Sequence, residues 1–266
     1  MPHLPARTRV ANVSLGSHLG EGAARGQAPG RRAAMMTPWK AFEALRAMVR
    51  ITLDPTNLDE VFVLADLSEE SPQLLKILEE VKADPRFGVI MRERPRLGRV
   101  DQDELGQLPE GTLGERYAAF MRARGLRHEN LQLVEGESDL SFLRNHMRET
   151  HDLWHVATGF HTDVAGELGL QSFYLAQFKG PLPVILLAVG MINTYFRGMD
   201  DADRRMAAIV RGWLLGKRSD ALFGFRWAEH WETPLVALRE RLGLDLEAVD
   251  AIVREAGPED ALAAVA

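Results

Sequence analysis

The side chains most able to do chemistry in this 266-residue chain sit in one short stretch, His151-Asp152-Leu-Trp-His155, followed after eleven residues by Glu167. Histidines four apart fall one helical turn apart on one face, so two imidazoles can share one ion. Two neutral imidazoles with two carboxylates balance the charge of a divalent cation of the borderline class, Zn, Fe, Mn or Co. The chain has no cysteine, which excludes thiolate ligands, a disulfide framework and a cysteine nucleophile. The candidate metal ligands, and with them the candidate catalytic residues, are therefore His151, Asp152, His155 and Glu167.

Two other readings compete with a metal centre. A histidine pair on a buried helical face is also a common feature of hydrogen-bonded cores. Adding Asp152 and Glu167 weighs against that reading, because several buried polar groups in one place need a common partner. His-acid-x-x-His is also the metalloprotease pattern, and His161 lies six residues after His155, where metzincins place a third histidine. Against a protease, the base would be Asp152, one methylene shorter than the usual glutamate, and the glycine comes one residue late, at Gly159.

The site needs two consecutive helices to position it. Steps of four from Leu143 lead to Met147, His151 and His155, so the histidines extend an apolar stripe and are expected to face the interior. Ser138 is placed to cap this helix, with Leu140, Leu143 and Met147 on its buried side, and Gly159 to end it. Thr162-Asp163 can then open the next helix, whose first turns return Glu167 to the histidines.

The rest of the chain reads as helix after helix. Thr37-Pro38 opens one with Phe42, Leu45, Met48 and Val49 on a single stripe, and Ser71-Pro72 opens another. A loop rich in Pro, Arg and Gly is expected over 84–110, and Thr112 starts a helix that stops at Gly125. Further helices are expected at 163–178, 184–198, 200–215, 220–230, 234–242 and 246–256. No segment alternates with period two, so the expected class is all-α, a single helical domain over 37–266. Residues 1–36 carry Arg7, Arg9, Arg25, Arg31 and Arg32 against the single acid Glu21, with no apolar period. They read as disordered, or as a leader upstream of a true start at Met35 or Met36, and their composition also resembles an organelle transit peptide.

Lys and Arg total 32 against 38 Asp and Glu, a formal charge of −6, which offers no electrostatic basis for binding nucleic acid. The most apolar run, 181–196, is broken by Pro183 and Gly190 and falls short of the roughly 18 apolar residues of a membrane span. It is expected to form a buried helix or the wall of an apolar cavity. With no secretory hydrophobic segment at the N-terminus, the expectation is a cytoplasmic protein that touches a membrane at its surface.

The full pattern H-D-x-x-H-x11-E, at His151, Asp152, His155 and Glu167, resembles the signature of the coenzyme Q biosynthesis protein 4 family. Its surroundings agree. Leu108-Pro-Glu-Gly-Thr-Leu-Gly-Glu-Arg-Tyr117 is similar to the segment that precedes the signature, and Gly159-x-x-Thr162-Asp163-x-x-Gly166-Glu167 to the turn between the ligand helices. Leu222-Phe-Gly-Phe-Arg-Trp-Ala-Glu-His-Trp-Glu-Thr-Pro-Leu235 resembles the family's tryptophan-containing C-terminal segment. The resemblance spans roughly residues 37–245. His161 stands where many relatives carry proline or glycine, which leaves room for a fifth ligand or a water partner.

The resemblance implies a mostly helical fold and a role in making ubiquinone. Its implied substrate is a polyprenylated benzoquinone precursor or a related isoprenoid lipid, met at the surface of the inner membrane beside other ubiquinone-biosynthesis proteins. The implied reaction removes the ring carboxylate at C1 and puts oxygen in its place, using one divalent metal ion. The apolar segments around Phe173–Phe178 and Val184–Phe196 are then candidates to line a tunnel for the tail, or are simply core. Two function classes stay open, a metal-dependent decarboxylase of a prenylated hydroxybenzoate and a lipid-presenting scaffold with a structural metal. A homo-oligomer is compatible with both.

Overall fold

The computed structural model describes residues 37–256 apart from 56, 69–71 and 132. The leader expected over 1–36, and Ser71 as a helix opener, lie outside these residues. Twelve α-helices follow one another in the described chain, and no strand is found among them. They are α1 (Pro38–Leu53), α2 (Leu58–Ser68), α3 (Pro72–Ala83), α4 (Pro85–Glu93), α5 (Gln102–Leu105) and α6 (Leu113–Ala123). The second half adds α7 (Asp139–Thr158), α8 (Val164–Gln177), α9 (Pro181–Phe196), α10 (Ala202–Arg218), α11 (Leu235–Arg241) and α12 (Leu246–Ala256). The all-α class expected from the sequence is the class observed.

The main core forms around α7. Trp154 and Leu153 are fully buried, and Phe142, Phe173, Leu215, Phe223, Trp227 and Leu238 pack in the same cluster. Burying one such side chain contributes about 1.5–3 kcal/mol. Helices α8 and α10 meet backbone to backbone. Ser172 Oγ donates to the Ile209 carbonyl at 2.7 Å, and a Cβ at Gly212 would fall 1.9 Å from the Gly169 carbonyl oxygen. Only glycine permits that approach, and it brings α10 close enough to brace the helix that carries Glu167.

A smaller core joins α1, α2 and α9 through Ala47, Ile51, Leu64 and Val189. Polar contacts lock it. Asn193 Nδ2 donates to the Thr52 carbonyl at 2.6 Å, and the buried Arg205 donates to Asn193 Oδ1 and Thr194 Oγ1, both at 2.8 Å. The α1 stripe turns out differently from its simplest reading. Ala47 and Ile51 are buried, whereas Phe42, Leu45 and Val49 face solvent with Trp39 and Leu53. Helix α1 is therefore apolar on two opposite faces, and the larger side chains are the exposed ones.

Two local expectations also change. Part of the segment expected as loop over 84–110 is helical, as α4 and the short α5. Pro85 stands at the first position of α4, where its fixed φ suits a helix start and its missing N–H costs nothing. Conversely, 220–230 is not an α-helix but a turn with one 3-10 segment, Trp227–His230. Gly224 adopts φ +78° there, which lets Phe223 and Trp227 both enter the core.

Candidate metal centre

Helix α7 begins as the sequence requires. Ser138 accepts from the Ser141 N–H at 3.0 Å, and Gly159 closes the helix in the left-handed conformation at φ +73°. Its last carbonyls are held by two arginines. Arg239 donates to the carbonyls of Val156 and Ala157 at 3.0 and 2.9 Å, and Arg211 donates to that of Thr158 at 3.0 Å. The cations sit where the helix dipole is negative. Asp163 then caps α8 by accepting from the Gly166 N–H at 2.8 Å, which sets Glu167 in the first turn.

This turn brings His151, His155 and Glu167 together, with one donor atom of each lying within 4.8 Å of the others. His155 Nε2 is 3.2 Å from Glu167 Oε1 and His151 Nε2 is 3.9 Å from Oε2. The two imidazole planes meet at 89° with centroids 4.8 Å apart. His155 is fully buried under Phe120, which stacks on it at 5.6 Å. His151 and Glu167 keep 35% and 37% of their side chains exposed, so the trio is open on one side.

The second nitrogen of each ring is already engaged. His155 Nδ1 faces the Phe160 carbonyl oxygen at 3.0 Å, and His151 Nδ1 faces the Tyr174 hydroxyl at 3.2 Å. A carbonyl can only accept, so in the neutral ring the His155 proton is on Nδ1 and Nε2 carries a lone pair. That Nε2 is buried and has no hydrogen-bond partner among the described protein atoms. A lone pair and a carboxylate oxygen 3.2 Å apart repel unless a cation or a proton lies between them. The donor set thus fits a divalent ion.

Electrostatics in the recess agree. Burial pushes the His151 pKa down and the neighbouring His155 adds to that, against the pull of Glu167 and Asp152. The ring is thereby kept neutral and ready to ligate. Burial alone would raise the Glu167 carboxyl, but a hydrogen bond and positive charge from His155, with a smaller effect of His151, hold its pKa below the ordinary range whenever those rings carry the proton that a cation would replace.

Of the four residues predicted as ligands, three share this space. Asp152 is not one of the trio, but its charge reaches the site. After the larger effect of burial, it helps raise the hydroxyl pKa of Tyr117 and of Tyr174. His161 is exposed just beyond the end of α7, so Glu167 rather than His161 is the third donor drawn to the histidine pair. Residues Phe173 and Tyr174 are core side chains, packed against Trp154 with centroids 5.7 and 4.3 Å away. Tyr174 was not foreseen as a site residue. Its signal was its position seven residues after Glu167, two turns along the same face of α8.

A profile of the family described as Coenzyme Q (ubiquinone) biosynthesis protein Coq4 matches residues 33–247. The chain belongs to this family. The rat Ubiquinone biosynthesis protein COQ4 homolog, mitochondrial, is 29% identical over 199 residues, 72% of this chain and 72% of its own. The fungal Ubiquinone biosynthesis protein coq4, mitochondrial, of Pyrenophora tritici-repentis is 30% identical over 224 residues, 80% of this chain and 75% of its own. A crystal structure from Nostoc punctiforme, of a protein named for ubiquinone biosynthesis, superposes with a TM-score of 0.69 at 32% identity. It covers 77% of this chain and 98% of its own. The Coq4 family resemblance and the helical Coq4-type fold expected from the sequence are thus both found. Among the described residues, no helix is long and apolar enough to cross a membrane.

Proposed function

We propose that this Coq4-family protein carries out a metal-dependent step of ubiquinone biosynthesis, the oxidative decarboxylation of a polyprenylated hydroxybenzoate at C1. One divalent ion, Zn or Fe with Co and Mn as alternatives, would be held by His151, His155 and Glu167, with the charge of Asp152 acting from nearby. The observation that carries this reading is the buried, unpartnered His155 Nε2 beside Glu167 Oε1. When bound, the ion supplies Lewis-acid polarisation of the ring carboxylate and, if redox-active, electron exchange with dioxygen. His155, fully buried, and Glu167 beside it would supply the inner donors for such an ion. The partly exposed edges of His151 and Glu167 face the side from which a ring headgroup enters. Asp152 contributes a second negative charge, and so sets how strongly the centre attracts a carboxylate.

The polyprenyl tail and the membrane are matched by the outer faces of α1 and α9. These helices pack together, and α1 exposes Trp39, Phe42, Leu45, Val49 and Leu53 while α9 exposes Val184, Ile192, Tyr195 and Phe196. Exposed large apolar side chains in this number are a feature of membrane or partner surfaces. A peripheral position, beside other ubiquinone-biosynthesis proteins, is the setting that brings a prenylated ring to the site.

Complementation of a strain lacking its own family member tests the reaction. The wild-type chain should restore ubiquinone, and His155→Ala, shown to be folded and expressed, should leave a prenylated ring that still bears its carboxylate. Restoration at wild-type levels by that variant would remove catalysis at this centre and leave a scaffold role.

A further inference from the structure

Helix α8 brings two polar groups to the metal centre. Glu167 faces the histidine pair, and two turns later the Tyr174 hydroxyl lies 3.2 Å from His151 Nδ1. The tyrosine ring is firmly held. It is 5% exposed and stacks on Trp154 at 4.3 Å with planes 19° apart, while Trp154 is itself fully buried against Phe173. The His151 and Tyr174 rings lie within 3° of parallel with centroids 6.1 Å apart, and the hydroxyl is within hydrogen-bond reach of the imidazole at Nδ1.

The two histidines need different degrees of help. His155 is buried on all sides, and its Nδ1 is fixed by a backbone carbonyl at Phe160 that no side-chain substitution removes. His151 keeps 35% of its side chain open to solvent, on the accessible edge of the recess. An imidazole with that freedom can rotate about its outer torsion and present either nitrogen. A contact on Nδ1 selects the tautomer and the orientation that leave Nε2 for a metal.

We propose that Tyr174 is a positioning residue of the metal centre, accepting the His151 Nδ1–H and so aiming Nε2 at the space shared with His155 and Glu167. This inference rests on the metal-site reading. It adds that the site's second sphere is split between one backbone carbonyl and one side-chain hydroxyl, and that only the second can be tuned by mutation. It also leaves the tyrosine's own O–H proton directed away from His151.

Two measurements on the full-length chain test it. In metal-free protein with 15N-labelled histidine, the two-bond ring correlations of wild type should show His151 and His155 both protonated on Nδ1. In Tyr174→Phe, which keeps the stacked ring, His151 alone should lose that preference. Titration with Co2+ should give a Kd about 10–100-fold weaker than wild type, with the melting temperature of the metal-free protein little changed. A merely structural role would lower that temperature without altering the His151 tautomer. The proposal is overturned if wild-type His151 is protonated on Nε2, a result that does not depend on the variant folding, or if Tyr174→Phe binds Co2+ as wild type does. His155→Ala separates the two levels. Loss of Co2+ in that variant alongside wild-type affinity in Tyr174→Phe overturns only the role of Tyr174, whereas Co2+ retained by His155→Ala overturns the metal site itself.

Discussion

Arg211 Nε donates to Asp250 Oδ1 at 2.5 Å while its Nη1 donates to the Thr158 carbonyl, so one buried guanidinium ties α12 to the end of the helix that carries both histidines. Arg211 is 2% exposed and Asp250 15% at the side chain. Its ring-facing side lies over Phe160, 4.7 Å from the centroid, and Phe160 is the residue whose carbonyl holds His155.

Removing the carboxylate leaves that guanidinium buried without its counter-charge. Asp250→Ala should therefore cost about 3–5 kcal/mol of stability, the usual cost of breaking a buried pair from one side. Urea unfolding measures it, and a loss below about 1 kcal/mol would show that the pair does not anchor α12.

Stability should also fall in mild acid because of His146. Its Nδ1 meets the Pro95 carbonyl at 3.2 Å and its Nε2 accepts from the Gly224 N–H at 3.0 Å, an arrangement that only the neutral ring satisfies. Burial lowers its pKa in the folded protein, outweighing the Pro95 contact and the nearby Glu149. Below the ordinary value of 6.5 the unfolded chain gains a proton that the folded chain refuses. The folded state therefore loses stability as pH falls from that value toward the lower folded pKa, and the loss levels off beneath it. Unfolding curves at several pH values should show a shallower dependence for His146→Asn. An unchanged slope in the variant would contradict this.

Much of the site was legible because its cues are local. The Ser138 cap, the Gly159 stop and the four-residue step between His151 and His155 are all written within one helix and its ends. What escaped was set by tertiary contacts. The stripe through Leu143 and Met147 lies at the edge of the buried face, whose depth is taken by Phe142, Asn145, His146, Glu149 and Leu153. Three of these are polar and look like surface residues in sequence. They are buried because two segments outside the helix supply partners, Val134 just before it and Pro95 with Arg96 farther back in the chain. The same limit hid Tyr174, whose hydroxyl matters only once α8 folds back onto α7. Helix α2 was not delimited in the sequence, and α4 was hidden by prolines that punctuate loops as often as they start helices.

The outward faces of α1 and α9 should matter for binding but not for folding. Phe42 is 57% and Phe196 67% exposed, so Phe42→Glu with Phe196→Glu should change stability by no more than about 0.5 kcal/mol per site. Sedimentation with liposomes of inner-membrane composition should fall at least about tenfold, since each phenyl ring that enters a bilayer contributes about 1.5–3 kcal/mol. Equal sedimentation of variant and wild type would place the membrane contact elsewhere.

Asp152 separates a reactive centre from a structural brace. Asp152→Asn keeps an oxygen donor of nearly the same shape, so the fold should survive, but it removes one negative charge from the centre. The variant should fail to restore ubiquinone in a deletion strain and should accumulate a prenylated ring that retains its carboxylate. Full complementation would favour the scaffold.

The central claim, that His151, His155 and Glu167 form a metal centre, is tested most directly by elemental analysis of protein purified without chelators. Wild type should carry about one divalent ion per chain, and His155→Ala and Glu167→Ala should each carry almost none, because too few donors remain. Full occupancy in both variants would contradict the account.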